Sequence, residues 1–122
     1  MLEQRIQQHF IDSADLKYQA AQALSAPIAA AVQAILACVT SGGKVLACGN
    51  GPSAAEALQF AAFCVAGFER DRPELAALAL TSDSTLLTVA GGGSDVAQQF
   101  ARQVRALGQA GDVLLALSVT GN

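Results

Sequence analysis

Apolar positions recur with a helical period over the first forty residues. Leu2, Ile6, Phe10, Ala14, Tyr18 and Ala21 fall three or four apart with Gln, Asp and Lys between them, which predicts an amphipathic helix over 2–24. Ser25 followed by Pro27 has the form of an N-cap with a first-turn proline. A second helix is therefore expected through AAAVQAILACV to the stop at Ser41-Gly42-Gly43. After Gly43 the period changes. KVLAC (44–48), LAALAL (75–80) and DVLLALS (112–118) are short continuous apolar runs, the pattern of strands buried on both faces. Between them lie an apolar helix through Phe68, a polar connection FERDRPE (68–74), a short helical segment (85–90), Gly91–Gly93, an amphipathic helix from Asp95 to Leu107 and a turn from Gly108 to Gly111. Strands alternating with helices predict an α/β fold: a doubly wound parallel sheet in three αβα layers, with right-handed crossovers, preceded by two N-terminal helices. The expected division is 1–43 for the helices and 44–122 for the β/α core.

Composition narrows the class. A chain of 122 residues holds one domain, and 52% hydrophobic residues, 26 of them alanine, exclude disorder. A formal charge of −3 with only 7 Lys+Arg argues against a nucleic-acid surface. Gly49, Gly51, Pro52 and Gly67 or charges interrupt the apolar stretches, so no membrane span is expected. The polar start MLEQRIQQHF is not that of a signal peptide. Cys38, Cys48 and Cys64 sit in apolar runs without CxxC spacing, as expected for reduced, buried thiols of a cytoplasmic protein.

Ligands of open parallel sheets bind beyond the carboxyl ends of the strands. Here those ends are 49–53, 81–84 and 118–122, all rich in Gly, Ser, Thr and Asn. Asn50, Gly51 and Ser53 form a strand-to-helix turn whose hydroxyl and free N–H groups would suit an anion, a phosphate above all. Ser118 and Thr120 add hydroxyls, and Asp83 stands at the end of the second strand. The same Gly-Asn-Gly sequence also serves as an ordinary turn, and Asp83 as an ordinary helix cap. Gly49, Gly51 and Ala54 satisfy G-x-G-x-x-A, but no acidic residue stands at the spacing and strand end that a dinucleotide site needs. His9, the single histidine, is expected on an exposed turn of the first helix, and Glu56 in a first helical turn where a carboxylate meets the helix dipole. No Ser–His–Asp set, Walker loop or metal-ligand spacing can be assembled.

CGNGPSAAEALQFAAF, FERDRPELAALALTSD and RQVRALGQAGDVLLALSVTGN resemble the sugar isomerase (SIS) domain family, in particular its phosphoheptose isomerase and DnaA initiator-associating (DiaA) branch. The resemblance implies a phosphosugar-binding αβα domain, assembled as a homotetramer with sites between subunits, of which this chain matches the N-terminal part and is apparently truncated at its C-terminal end. The family's GNGGS loop is Gly49-Asn50-Gly51-Pro52-Ser53 here, and its STSGNS phosphate loop is Ser118-Val119-Thr120-Gly121-Asn122. The His and Glu that serve metal and catalysis on the family's third helix correspond to Gln59 and Phe63, its Asn-Asp to Gly92-Gly93, and its later catalytic His would lie beyond Asn122. Zinc is thus implied by the family alone, its ligand positions not being kept. The resulting expectation is a phosphosugar-binding, non-catalytic, DiaA-like oligomer that partners the replication initiator; the alternative is phosphoheptose isomerase, converting sedoheptulose 7-phosphate to glycero-manno-heptose 7-phosphate. Self-assembly is expected on a further ground: Leu58, Phe60, Phe63, Val65 and Phe68 surround most of one helix.

Overall fold

The computed structural model describes residues 1–90 and 98–122, which form two compact units, Met1–Ala34 and Ile35–Asn122. The first unit is helix. α1 runs unbroken over Leu2–Thr40 with Pro27 inside it, so Ser25 and Pro27 do not open a second helix. Ser25 Oγ instead donates to the Ala21 carbonyl one turn back, the side-chain bond that lets Ser sit within a helix. The proline removes one helical N–H donor without ending the helix. An 18-residue window of α1 reaches a mean hydropathy of 1.9, enough by length and composition for a membrane-crossing helix. The sequence reading of broken apolar stretches did not anticipate this.

The second unit is built on three parallel strands in the order β2-β1-β3: β1 (Val45–Gly49), β2 (Ala77–Ala79) and β3 (Val113–Leu117). β1 is central and buried along its whole length. It pairs Val45 with both Ala77 and Val113, and Ala47 with Ala79 and Leu115. The edge strands are shorter than their apolar runs, β2 by three residues, although the Leu80 N–H still donates to the Ala47 carbonyl at 2.8 Å.

Alternate residues of β1 face opposite layers. Ala47 packs with Ala79 and with Ala57 and Ala61 of α2 (Pro52–Ala66), flanked by Phe60, Leu115 and Leu117. Four alanines at this contact bring α2 close to the sheet, which explains part of the alanine content. Leu46, Cys48 and Leu80 face the other way, against Phe100 and Val104 of α4 (Gln99–Leu107). Helices thus cover both faces: the sheet is doubly wound, as the apolar runs predict. The chain leaves β1 toward one edge and returns past it to the other, so a switch in winding direction falls between β1 and β3, where such sheets bind ligands.

The connections differ in detail. α2 ends at Ala66, two residues short of Phe68, because Gly67 turns out of the helix at φ 101°. Arg72 then donates to the carbonyls of Phe63 and Cys64, which also accept the N–H groups of Gly67 and Leu75. α3 (Ser84–Ala90) follows β2. The readings made for Gly91–Gly93 and for the start of the next helix at Asp95 fall outside the described residues. At the amino-terminal edge of the sheet, Lys44 and Asp112 pair at 2.7 Å.

Candidate functional site

Two glycines shape the turn from β1 to α2. A Cβ on Gly49 would stand 2.7 Å from both Cβ and the carbonyl oxygen of Ser53, so only glycine lets the helix start this close to the strand. Gly51 has φ 57° and ψ −129°, a conformation that side chains disfavour. The turn is tight enough for Ser53 N–H to donate to the Asn50 carbonyl and Ala54 N–H to the Gly51 carbonyl, both at 3.0 Å. These two helix-start N–H groups are therefore internally satisfied, contrary to the expectation that they point outward free. What remains for a ligand is the positive end of the helix dipole and the Ser53 hydroxyl. Ser53 is only 3% exposed, and its side chain has no hydrogen-bond partner among the described residues.

The end of β3 faces this turn. Ser118 Oγ accepts the N–H of Gly121 at 2.9 Å, curling the chain back with Gly121 at φ 80°. The hydroxyl's own proton stays available to donate. Between the two loops lies an open cleft of about 550 Å³, lined by Asn50, Gly51, Ser53, Ser118 and Thr120 together with Cys48, Phe100, Ala116, Leu117, Val119 and Asn122, among others. Five of the six residues expected to bind a ligand thus share one cleft.

Asp83, the sixth, is not among the lining residues. Its carboxylate accepts the Leu86 N–H at 2.9 Å and caps α3. His9 lies exposed on α1 beside Arg5, Gln8 and Asp12. Glu56 is exposed on α2, just past the first turn, which holds no acidic residue. Among the described lining residues Cys48 is the one with a titratable side chain, and burial pushes its thiol up from the ordinary value. The sequence missed Phe100 and Val119. Phe100 reads as one more apolar position of an amphipathic helix, and only the strand order puts it beside the ends of β1 and β3.

The SIS domain family is matched over residues 8–122. The chain belongs to this family. The match runs through most of α1 as well as the sheet. The SIS domain is 62% identical to the phosphoheptose isomerase of Methylibium petroleiphilum, over all of this chain and 61% of that protein. It is 53% identical to that of Aromatoleum aromaticum, over 97% of this chain and 60% of that protein. The phosphoheptose isomerase structure from Neisseria gonorrhoeae superimposes with a TM-score of 0.91 at 43% identity, covering 100% of this chain and 63% of that one. The Francisella tularensis structure gives 0.90 at 40% identity, with 97% and 62% covered. The chain thus spans about three fifths of the length of these relatives.

Zinc does not fit the residues at the family's ligand positions. Gln59 and Phe63 are exposed on α2, one offering a neutral amide and the other no donor at all. The Phe63 ring lies against that of Phe68, centroids 4.9 Å apart. Among the described residues no three His, Cys, Asp or Glu side chains come together as a metal site.

Proposed function

We propose that this SIS domain binds a sugar phosphate in the cleft between β1 and β3, and that the ligand is a heptulose phosphate of the kind phosphoheptose isomerases act on. The carrying observation is Ser53, a residue 3% exposed whose hydroxyl has no partner among the described residues, lining the cleft at the positive end of α2 together with Ser118 and Thr120. No acidic side chain is among the described residues lining the cleft. The relatives favour the isomerase reading. Association with a replication initiator finds no support among them.

Aldose–ketose isomerisation moves a proton between adjacent carbons and needs a base and an acid near the operating pH. The described lining residues hold and orient a ligand through hydroxyls, two amides and backbone groups, and none is assigned that proton transfer. Binding and turnover are therefore separate readouts. Self-association is part of the same reading: Leu58, Phe63, Val65 and Phe68 on and after α2 are 41–55% exposed, a surface that a second copy would cover.

Isothermal titration of the full chain with sedoheptulose 7-phosphate tests the site. Saturable binding, weakened about tenfold in Ser53→Ala by loss of one hydrogen bond to a charged group, is the expected result. No binding at millimolar concentration overturns the proposal. Interconversion followed by NMR reads isomerase activity independently.

A further inference from the structure

The cleft mixes two chemistries. Its lining carries the Asn50 and Asn122 amides and the hydroxyls described above, interleaved with apolar Phe100, Ala116, Leu117 and Val119. Phe100 is anchored by packing on the cluster of Leu46, Cys48 and Leu80 while also lining the cleft. Val119 is 78% exposed on a loop otherwise made of small polar residues. An apolar side chain standing open to water gains by being covered, and a phosphate alone has nothing to cover it with.

We infer that Phe100 and Val119 determine specificity, reading the C–H surface of the ligand's carbon chain while the hydroxyls hold its phosphate. This inference rests on the sugar-phosphate reading and extends it: the cleft selects a phosphorylated polyol chain over free phosphate. Carbohydrate chains suit such a mixed lining because their C–H faces pack on aromatic and aliphatic side chains while their hydroxyls reach polar groups. Neither residue takes part in proton transfer. Each acts by contact with the part of the ligand that inorganic phosphate lacks.

The test compares two probes, sedoheptulose 7-phosphate and inorganic phosphate, titrated into the wild-type chain and into Phe100→Leu and Val119→Ala. Phe100→Leu is expected to weaken the sugar phosphate about fivefold and Val119→Ala about threefold, both leaving inorganic phosphate within about twofold of wild type. Equal losses for the two probes, or no loss for either, overturn the inference while leaving the sugar-phosphate site standing. A wild-type chain that binds neither probe overturns both. Val119 lies on an exposed loop, so its variant keeps the test valid even where Phe100→Leu unfolds, as circular dichroism of each variant would show.

Discussion

The side-chain amide of Gln103 on α4 donates to the main-chain carbonyl of Leu80 at the end of β2, at 2.8 Å and across 23 residues of sequence. Both residues are buried, at 5% and 1% exposed. The Leu80 N–H is already bonded to Ala47 of β1, so the amide satisfies the other main-chain group of a residue that lies just past the short edge strand. Replacing Gln103 by Leu keeps the volume but strands a buried carbonyl, which costs about 1–3 kcal/mol. Urea unfolding should show a lower midpoint with an unchanged slope, and a loss below about 0.5 kcal/mol would mean that water reaches the carbonyl.

At the opposite edge of the sheet, Asp112 receives three hydrogen bonds: from the Lys44 ammonium at 2.7 Å, the Lys44 N–H at 3.0 Å and the Gln109 N–H at 2.8 Å. They hold its carboxyl down from 3.8 to about 2. A carboxyl depressed in the folded state binds its proton first in the unfolded chain. Its contribution to stability is therefore complete above its ordinary value near 3.8 and is lost as pH falls toward 2. Urea midpoints taken from pH 6 down to 2.5 should fall more steeply for wild type than for Asp112→Asn across that acid window. Parallel curves would show that the pairing does not survive in solution.

The glycines of the β1–α2 turn should separate into two kinds. Gly49→Ala drives a methyl into Ser53 at 2.7 Å, where the neighbours are backbone and a short side chain that cannot yield. Overpacking of this kind costs about 1–3 kcal/mol. It also displaces Ser53 from the cleft, so ligand affinity should fall with stability. Gly51→Ala meets nothing within 4 Å and suffers only from φ 57°, a strain of roughly 1–3 kcal/mol. Its folded fraction should therefore still bind. Titration with sedoheptulose 7-phosphate after thermal melts of both variants checks the distinction, and equal affinity in the two would refute it.

The strands were legible because a central parallel strand must be apolar on both faces, and KVLAC is. The break between helices at Ser25-Ala26-Pro27 was misread because a cap with a first-turn proline and a mid-helix serine back-bonded to residue 21 look alike in sequence. Only the Ser25–Ala21 bond tells them apart. Gln103 and Phe100 were illegible for the complementary reason. One is a polar residue that goes inside to pair a carbonyl, the other an apolar residue of the helix stripe that reaches a ligand cleft, and both roles depend on which strand lies beside α4. Asp83 was legible in each of its two roles, and the Leu86 N–H it accepts identifies the cap.

Gln59 and Phe63 lie four residues apart, so they neighbour each other on the surface of α2, where a His and a Glu would share a metal. With an amide and a phenyl ring there instead, ligand binding should be indifferent to zinc. The affinity for sedoheptulose 7-phosphate is expected to change by less than about twofold between chelator and excess zinc, which is within 0.5 kcal/mol. Installing the pair by Gln59→His with Phe63→Glu should tighten zinc binding by about tenfold or more. The substitution also breaks the Phe63–Phe68 ring contact at 4.9 Å. Such contacts are worth about 0.5–1.5 kcal/mol, so the double variant without zinc should melt below wild type and recover as zinc is added. A wild-type chain whose sugar-phosphate affinity collapses in chelator would show that metal reaches the cleft through other residues.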